Sequence, residues 1–380
     1  MVPVLVIAFS SRYDARQGTI VGKFHFDELP AHSDREPEVS ERNSIVPLVA
    51  IAVLAIYILM PGATHAADFY SGKTITFIAS DDAGGGYDTY TRLLARYIQK
   101  YIPGNPVIVV QNEPGAGGLR AAQVTYNVAE KDGTKIGNFR ASNILDSVLG
   151  IRGGEIDPNK YEWIGNMTTD TDLCTFWYTS GVHGFDDLKA KEILIGAAGT
   201  GSQGYSFPHA IDYALHTQMK IIPGYKGTGD RILAMQQGEI QGGCGMNAST
   251  VTSIYPQLLA AGQLVPIMQT GLHPYSTLPD VPLTASFATD DNAKRILTTI
   301  SSEMDIARIF AAPPGTPQDR VEILRKAFTQ ALRDPELIDE AKKMRLDLNP
   351  MSGEEVAKIV AEMSGLSAEF KVELRAAMGS

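Results

Sequence analysis

The sequence predicts an α/β protein with parallel-rich sheets flanked by helices. Two observations carry this expectation. Short β-branched or apolar runs alternate with helix-period segments along most of the chain. Three glycine-rich loops each follow such a run and precede a helix, as the turns of parallel strand–helix–strand units do. At 380 residues, 44% hydrophobic and 20% charged, the chain is large enough for two lobes. Its formal charge of −10 and the lack of any basic block argue against nucleic acid as a partner. Two cysteines, Cys174 and Cys244, are too few for a disulfide scaffold and form no zinc pattern.

The first units are preceded by an unusual leader. Residues 1–44 are polar, patternless and rich in Glu, Asp, Arg and Pro, which fits a disordered segment. Residues 45–60 are apolar throughout. That run is shorter than the ~20 residues of a membrane span but suits the core of an export signal. Arg42 precedes it, and Thr64 and Ala66 supply small residues at −3 and −1 of a cut after Ala66. The expected signal peptide is therefore 45–66, and a start at Val39 would place it at the N-terminus. A cytoplasmic tail on a membrane anchor is the competing organisation.

From Asp68 the pattern is regular. Residues 74–78, Thr-Ile-Thr-Phe-Ile, read as a buried strand, and Leu93, Leu94, Tyr97, Ile98 and Tyr101 mark one face of a helix. Between them Gly84, Gly85 and Gly86 place bare N–H groups at the positive end of that helix, a geometry suited to an anion. A strand at 106–110 leads to a second loop, Pro114-Gly115-Ala116-Gly117-Gly118, and a helix at 119–128. Strands are expected at 135–139, 163–167, 174–178 and 193–197, the last entering a third loop, Gly199-Thr200-Gly201-Ser202-Gln203-Gly204. A helix at 207–215, strands at 219–222, 243–246 and 265–269, and helices at 230–237 and 249–261 complete a second set. Beyond Pro317 the chain reads as helices at 320–332, 335–344 and 354–363.

Catalytic constellations are mostly absent. The run Thr200-Gly201-Ser202-Gln203-Gly204 lacks the first glycine of a nucleophile elbow, and neither His-Glu-x-x-His nor Cys-x-x-Cys occurs. His209 reads as a packing or surface residue. The segment from Gly84 to Thr89 approximates a dinucleotide fingerprint but ends in Thr89, with Glu113 as a conceivable ribose acid. An α/β enzyme holding a nucleotide at the Gly84–Asp88 turn is thus the alternative to a binding protein. Cys174 and Cys244 allow either a disulfide or two buried thiols.

The chain resembles the solute-binding proteins of tripartite tricarboxylate transporters, the Bug family. The resemblance begins with Ala83-Gly84-Gly85-Gly86-Tyr87-Asp88 and Asn112-Glu113-Pro114-Gly115-Ala116-Gly117-Gly118. It continues through Lys131-Asp132-Gly133-Thr134, Gly199-Thr200-Gly201-Ser202 and Tyr225-Lys226-Gly227, then Leu278-Pro279-Asp280-Val281-Pro282 and Pro314-Gly315-Thr316-Pro317. These stand in the family's order over roughly residues 70–365. The resemblance implies a two-lobed periplasmic binding fold of type II-like organisation, with the ligand cleft between the lobes. On that reading lobe 1 spans 67–174, lobe 2 spans 175–305, and 306–380 returns to lobe 1, with crossings near 173–179 and 306–312. It implies an exported, non-catalytic monomer that captures a small organic carboxylate for a membrane transporter or sensor, with no cofactor and no metal.

The ligand carboxylate would lie between the loop of Gly84, Gly85, Gly86, Tyr87 and Asp88 and that of Gly199, Thr200, Gly201 and Ser202. Ser80, Ser142, Asn143 and Asn247 are the secondary candidates. Two departures bear on the ligand. Asp81 and Asp82 stand where the family has proline or an apolar residue, and Tyr205 falls where a histidine is common. If Asp81 or Asp82 faces the cleft, a polyanion is disfavoured. A monocarboxylate, or an acid ending in a hydroxyl, amine or aromatic group, is then expected.

Overall fold

A computed structural model describes residues 9–14, 19–24, 69–152 and 154–380. In the N-terminal unit β1 (Phe9–Asp14) and β2 (Thr19–Phe24) pair antiparallel, with Phe9 opposite Phe24 and Asp14 opposite Thr19. A structureless leader was the expectation for this stretch. The hairpin is understandable because Tyr13, Thr19, Ile20, Val21 and Phe24 all favour an extended ladder. The apolar run 45–60 and the expected signal peptide 45–66 lie outside the described residues. Among the described residues no helix is long and apolar enough to cross a membrane.

The following unit holds two sheets. Strand β3 (Thr74–Ala79) pairs in parallel with β4 (Val107–Asn112) and β5 (Lys135–Phe139). The connections run through α1 (Gly86–Ile98) and α2 (Leu119–Gln123), which continues as a π turn at Val124–Val128. Helix α3 (Ala141–Leu149) and β6 (Glu162–Asn166) follow. The chain then crosses into β7 (Asp172–Trp177), the antiparallel member of the second sheet. That sheet adds β8 (Ile193–Ala197), β9 (Met219–Pro223), β10 (Gly242–Asn247) and β11 (Leu264–Thr270) in the order β11-β7-β10-β8-β9. Helices α4 (Asp187–Ala190), α5 (Gln203–Leu215), α6 (Thr228–Gln237), α7 (Ala248–Ile254) and α8 (Pro256–Ala260) intervene. Pro256 breaks what reads in sequence as one helix into α7 and α8.

After α9 (Asp291–Ser301) the chain re-enters the first sheet as β12 (Ile309–Ala312), antiparallel to β5 and β6. Helices α10 (Gln318–Ala331) and α11 (Pro335–Met344), the short β13 (Met351–Ser352), α12 (Gly353–Ser364) and α13 (Ala368–Ala377) end it. The first sheet has the order β13-β6-β12-β5-β3-β4. Each sheet therefore has three parallel strands followed by one antiparallel strand that arrives from the other sheet. Both sheets are buried on two faces. Phe310 and Ala312 of β12 join Phe77, Leu93 and Phe328, whereas Ile309 and Ala311 join Phe139, Ile144 and Trp163. In β7, Cys174 and Phe176 face one cluster and Leu173 and Trp177 the other.

Three placements differ from the expected lobes. The outward crossing is complete by Asp172, because Asp172 and Leu173 already pair with Asn247 and Met246. Residues 309–312 form a strand of the first sheet, so the return crossing precedes them. Helix α13 packs on the second sheet's core through Phe370, Leu374 and Ala377, and α3 adds Leu145 and Leu149 to that core. A C-terminal helix with one apolar face buries it wherever a matching surface is free, which its sequence does not specify.

The crossings bond to each other. Met167 N–H donates to Arg308 O (3.1 Å) and Asp170 N–H to Met304 O (2.9 Å). Arg308 N–H donates to Asn166 Oδ1 at 2.8 Å. Arg308 Nη2 lies 3.4 Å from Asp170 Oδ2, with both side chains almost fully buried. The guanidinium stacks over the rings of Tyr87 (4.5 Å) and Tyr90 (5.1 Å). Cys174 and Cys244 form a disulfide between the neighbouring strands β7 and β10.

Removing one partner of a buried ion pair leaves an uncompensated charge, which destabilises by about 3–5 kcal/mol. Arg308→Leu is therefore expected to lose that much in a denaturant titration, and adding Asp170→Asn to recover at least half. A single-variant loss below about 1 kcal/mol would show that the pair is not structurally important.

Candidate functional site

The carboxyl ends of the parallel strands of both sheets converge on the junction between them, where open α/β sheets form their crevice. On the first sheet β3 ends in Ser80 and Asp81, and β5 runs into Arg140, the residue that precedes α3. Ser80 N–H donates to Asn138 O (3.1 Å), so the two strand ends lie side by side. Asp81 folds back over the glycine turn. Its Oδ1 accepts from Arg140 Nη2 at 2.6 Å and its Oδ2 from Tyr87 N–H at 3.1 Å, in the first turn of α1. The anion called for by the bare helix end is thus the chain's own carboxylate. Asp82 is exposed, and its carbonyl accepts the Gly85 N–H of a tight turn.

The remaining loop residues build this turn. A Cβ on Gly85 would stand 2.7 Å from Asp81 Cβ, and one on Gly86 3.4 Å from Arg308 Nη2. Gly84, at φ 84°, donates its N–H to Asp88 Oδ2 (2.8 Å). Asp88 also accepts from Arg92 Nε (2.8 Å) and Asn112 Nδ2 (2.8 Å). Burial opposes its ionisation, but Arg92, the Gly84 N–H and Asn112 outweigh it and hold the carboxyl below its ordinary value. Asp88 is therefore a strut of the loop. The Tyr87 ring lies between the guanidinium groups of Arg140 (4.7 Å) and Arg308 (4.5 Å). Ser142 and Asn143 sit in the first turn of α3, both buried, and Asn143 Nδ2 reaches Gly117 O at 3.4 Å. Ser80 Oγ, Ser142 Oγ and Asn143 Oδ1 have no hydrogen-bond partner within the protein.

The second sheet answers with Asp172 at the start of β7 and Asn247 at the end of β10. Asn247 Nδ2 donates to Asp172 Oδ1 at 2.8 Å, while the other oxygen of this buried carboxylate has no partner. Burial and the neighbouring Asp170 push its carboxyl up to about 7, against the pull of Arg231, Arg140 and Arg308. Arg231 of α6 donates from Nη1 to Cys244 O (2.7 Å) and from Nη2 to Gly245 O (3.2 Å). Burial brings its pKa down to about 10 despite Asp172.

The third glycine loop closes on itself. Ser202 N–H and Oγ both donate to Gly199 O, at 3.0 and 2.7 Å. It also touches the first lobe: a Cβ on Gly117 would stand 2.5 Å from Gly201 O, and one on Gly201 3.1 Å from Ala116 O. Thr200 points outward, bordering a surface hollow of about 660 Å³ with Arg152, Tyr205 and Arg375. A second hollow, about 550 Å³, is lined by His209, Asp212, His216 and Asp290. Neither contains any of the unpartnered polar atoms. His209 packs against the Tyr205 ring (4.5 Å), and burial lowers its pKa. Among the described residues no group of three or more His, Cys, Asp or Glu is placed to hold a metal ion.

Of the residues singled out in sequence, Tyr87 stacks with Arg140 and Arg308, Asn247 bonds Asp172, and Ser80, Ser142 and Asn143 are buried where β3 and β5 lead into the elements that follow. Gly84, Gly85, Gly86, Asp88, Gly199, Gly201 and Ser202 shape its loops, and Thr200 lies outside it. Sequence reasoning missed Arg140, Arg231, Arg308, Asp170 and Asp172. One signal was present: Arg308 interrupts the apolar run Ile306-Ala307-Arg308-Ile309-Phe310, where a lone charge must find a buried partner.

No protein-family model matches the sequence. Over 347 residues the chain is 26% identical to the UPF0065 protein of the TAR-I ttuE–ttuC' intergenic region of Agrobacterium vitis, covering 90% of this chain and 91% of the relative. Three solved structures share the fold. MatC from Rhodopseudomonas palustris with bound malate superimposes with a TM-score of 0.61 at 18% identity, over 80% of this chain and 98% of that one. The periplasmic binding protein BugD gives 0.60 at 22%, over 82% and 99%. A TctC solute binding protein from Polaromonas gives 0.59 at 20%, over 80% and 98%. These similarities bear out the expected resemblance and the two-lobed α/β architecture.

Two outcomes follow from the geometry. Gly117 (φ 65°) and Gly150 (φ 68°) have similar left-handed backbones, but nothing lies within 4 Å of a Cβ on Gly150. Alanine at either is expected to destabilise by about 1 kcal/mol, whereas only Gly117→Ala should enlarge the radius of gyration in X-ray scattering. Equal radii would mean that the Gly117–Gly201 contact does not hold the lobes together.

The second outcome concerns pH. An aspartate raised to about 7 in the folded state favours folding while protonated, and that contribution is lost as pH climbs from about 4 through 7. Without ligand, Asp172→Asn is expected to exceed the parent by about 1.5 kcal/mol at pH 5 and by up to roughly 4 kcal/mol at pH 8. Melting curves at both pH values check this; a pH-independent difference contradicts it.

Proposed function

We propose that this chain is an exported solute receptor that closes on a small organic carboxylate and delivers it to a tripartite tricarboxylate-type membrane transporter or to a sensor. The observation that carries the reading is the set of buried polar atoms without partners at the facing strand ends. Ser80, Ser142 and Asn143 lie on one lobe and Asp172 on the other, within the field of Arg140, Arg231 and Arg308. Buried polar groups are disfavoured unless hydrogen-bonded, so such a surface asks for a small polar ligand. The malate of MatC is a ligand of the same chemical kind. Export is supported by the signal-like run 45–66 and by the Cys174–Cys244 disulfide, a bond favoured in oxidising compartments.

The nucleotide-enzyme alternative is poorly supported. Its phosphate would need the N–H groups of the Gly84–Asp88 turn, yet Asp88 takes that of Gly84 and Asp81 that of Tyr87. Glu113, the would-be ribose acid, is paired with Arg120 at 2.8 Å. Two carboxylates at the turn would repel a pyrophosphate.

Thermal-shift screening of organic carboxylates tests the proposal. A true ligand at ~100 Kd stabilises by ~2.7 kcal/mol, and scattering should then show a smaller radius of gyration with no chemical turnover. Turnover of the stabilising compound, or stabilisation only by nucleotides, would overturn the receptor reading.

A further inference from the structure

Resting on the receptor reading, the charges at the interlobe junction narrow the class of ligand. Three guanidinium groups, Arg140, Arg231 and Arg308, meet three carboxylates, Asp81, Asp170 and Asp172. Ionised, the six balance; a further buried carboxyl, Glu303, is pushed well above its ordinary value by burial and by Asp146 and Asp172. Asp81 is satisfied by Arg140 and the Tyr87 N–H. Asp170 is satisfied by the Thr171 and Ser249 N–H groups, the Ser249 hydroxyl and Arg308. Asp172 differs. Asn247 serves one of its oxygens, and the other, in a residue 1% exposed, is served by nothing.

No neighbouring arginine donates to that oxygen, although Arg231 Nε and Arg308 Nε are themselves buried without partners. The Nη atoms of Arg231 are committed to Cys244 O and Gly245 O. Arg140 is held by Asp81, and Arg308 by Asp170 and Ala307 O. The free oxygen of Asp172 needs a donor, and a cationic one best offsets a buried carboxylate. Across the junction Ser80 Oγ and Ser142 Oγ are buried and unpartnered, with protons to give to an acceptor. The positive end of α1 is not open to that acceptor, because Asp81 already fills it.

We infer that the ligand is a zwitterionic amino acid, its ammonium donating to the free oxygen of Asp172 and its single carboxylate accepting from the hydroxyls of Ser80 and Ser142. Such a ligand adds no net charge to the junction. A dicarboxylate adds two negative charges beside an aspartate already short of a donor. A hydroxy acid supplies a donor but no compensating charge. Asp172 is then the residue that selects for nitrogen, and Asp81 disfavours further anionic groups by neutralising Arg140.

The test compares acids that share one carbon frame and differ only in the group beside the carboxylate. Suitable sets are alanine, lactate and propionate; leucine, 2-hydroxyisocaproate and 4-methylpentanoate; and aspartate, malate and succinate. Affinities come from isothermal titration calorimetry on the mature protein. In a frame that fits, the amine-bearing member should bind at least tenfold tighter than the other two, and a monocarboxylate frame should exceed the aspartate frame. Asp172→Asn, shown by circular dichroism to be folded, should lose that preference while still binding the amine-free acid. Tight, equal binding of succinate, malate and aspartate would overturn the ammonium contact and leave the carboxylate receptor standing. Failure of every acid in every frame would overturn the amino-acid class, and the receptor reading too if the wider carboxylate screen also failed.

Discussion

The buried pair of Arg308 and Asp170 joins the two chain crossings between the lobes. Arg308 lies on the returning crossing and Asp170 on the outgoing one, so the contact fixes one connection against the other. Two unlike charges taken out of water gain little net stability, because desolvation offsets most of their attraction. Their value is specificity. The Arg308 guanidinium also stacks under Tyr87 and Tyr90 of α1, and Asp170 receives N–H and hydroxyl donors from Ser249 at the start of α7. One helix from each lobe is thereby keyed to the same ion pair, and a shifted crossing would strand both charges.

The same economy explains the glycine turn. A run such as Ala83-Gly84-Gly85-Gly86 before a helix leaves N–H donors that some anion must satisfy. Asp81 meets that need from within the chain, and Asp88 meets it for Gly84. Both carboxylates are then matched by a guanidinium, Arg140 for Asp81 and Arg92 for Asp88. The loop is rigid before any ligand arrives, and a rigid loop loses less entropy on binding.

Much of the fold was legible because its signals are local. A β-branched run, a glycine loop and an amphipathic stripe identify a strand–helix unit within about thirty residues, and units built on Thr74, Val107, Ile193 and Met219 were read that way. Helix α3 was not, although Ile144, Leu145, Val148 and Leu149 give it an apolar stripe; its polar residues Ser142, Asn143, Asp146 and Ser147 are buried as well, which the stripe does not reveal. Strand β12 was taken for a crossing, since four apolar residues before Pro313 do not say which sheet they enter. For the proposed site, Ser80, Ser142 and Asn143 were singled out by their position near strand ends. The arginines were not, because Arg140, Arg231 and Arg308 lie far apart in sequence and acquire their meaning only when the lobes meet. The cysteine pairing stayed open for the same reason: their spacing does not reveal that β7 and β10 are neighbours.

The topology of the two sheets also bears on the site proposed at the junction. In each, the antiparallel strand comes from the other lobe, so one of its ends lies beside the crossing. Asp172 opens β7 at that end, opposite Asn247, and Asn166 closes β6 beside Arg308. Polar side chains placed there are buried by the crossing backbones yet remain between two bodies that can separate. Asp172 is held in the second sheet by its ladder partner Asn247 while its second oxygen is unpartnered. Closure over a complementary group then satisfies acceptors and donors from both sides at once. On the proposed reading, that shared requirement couples recognition at Asp172 and Ser142 to the relative position of the lobes.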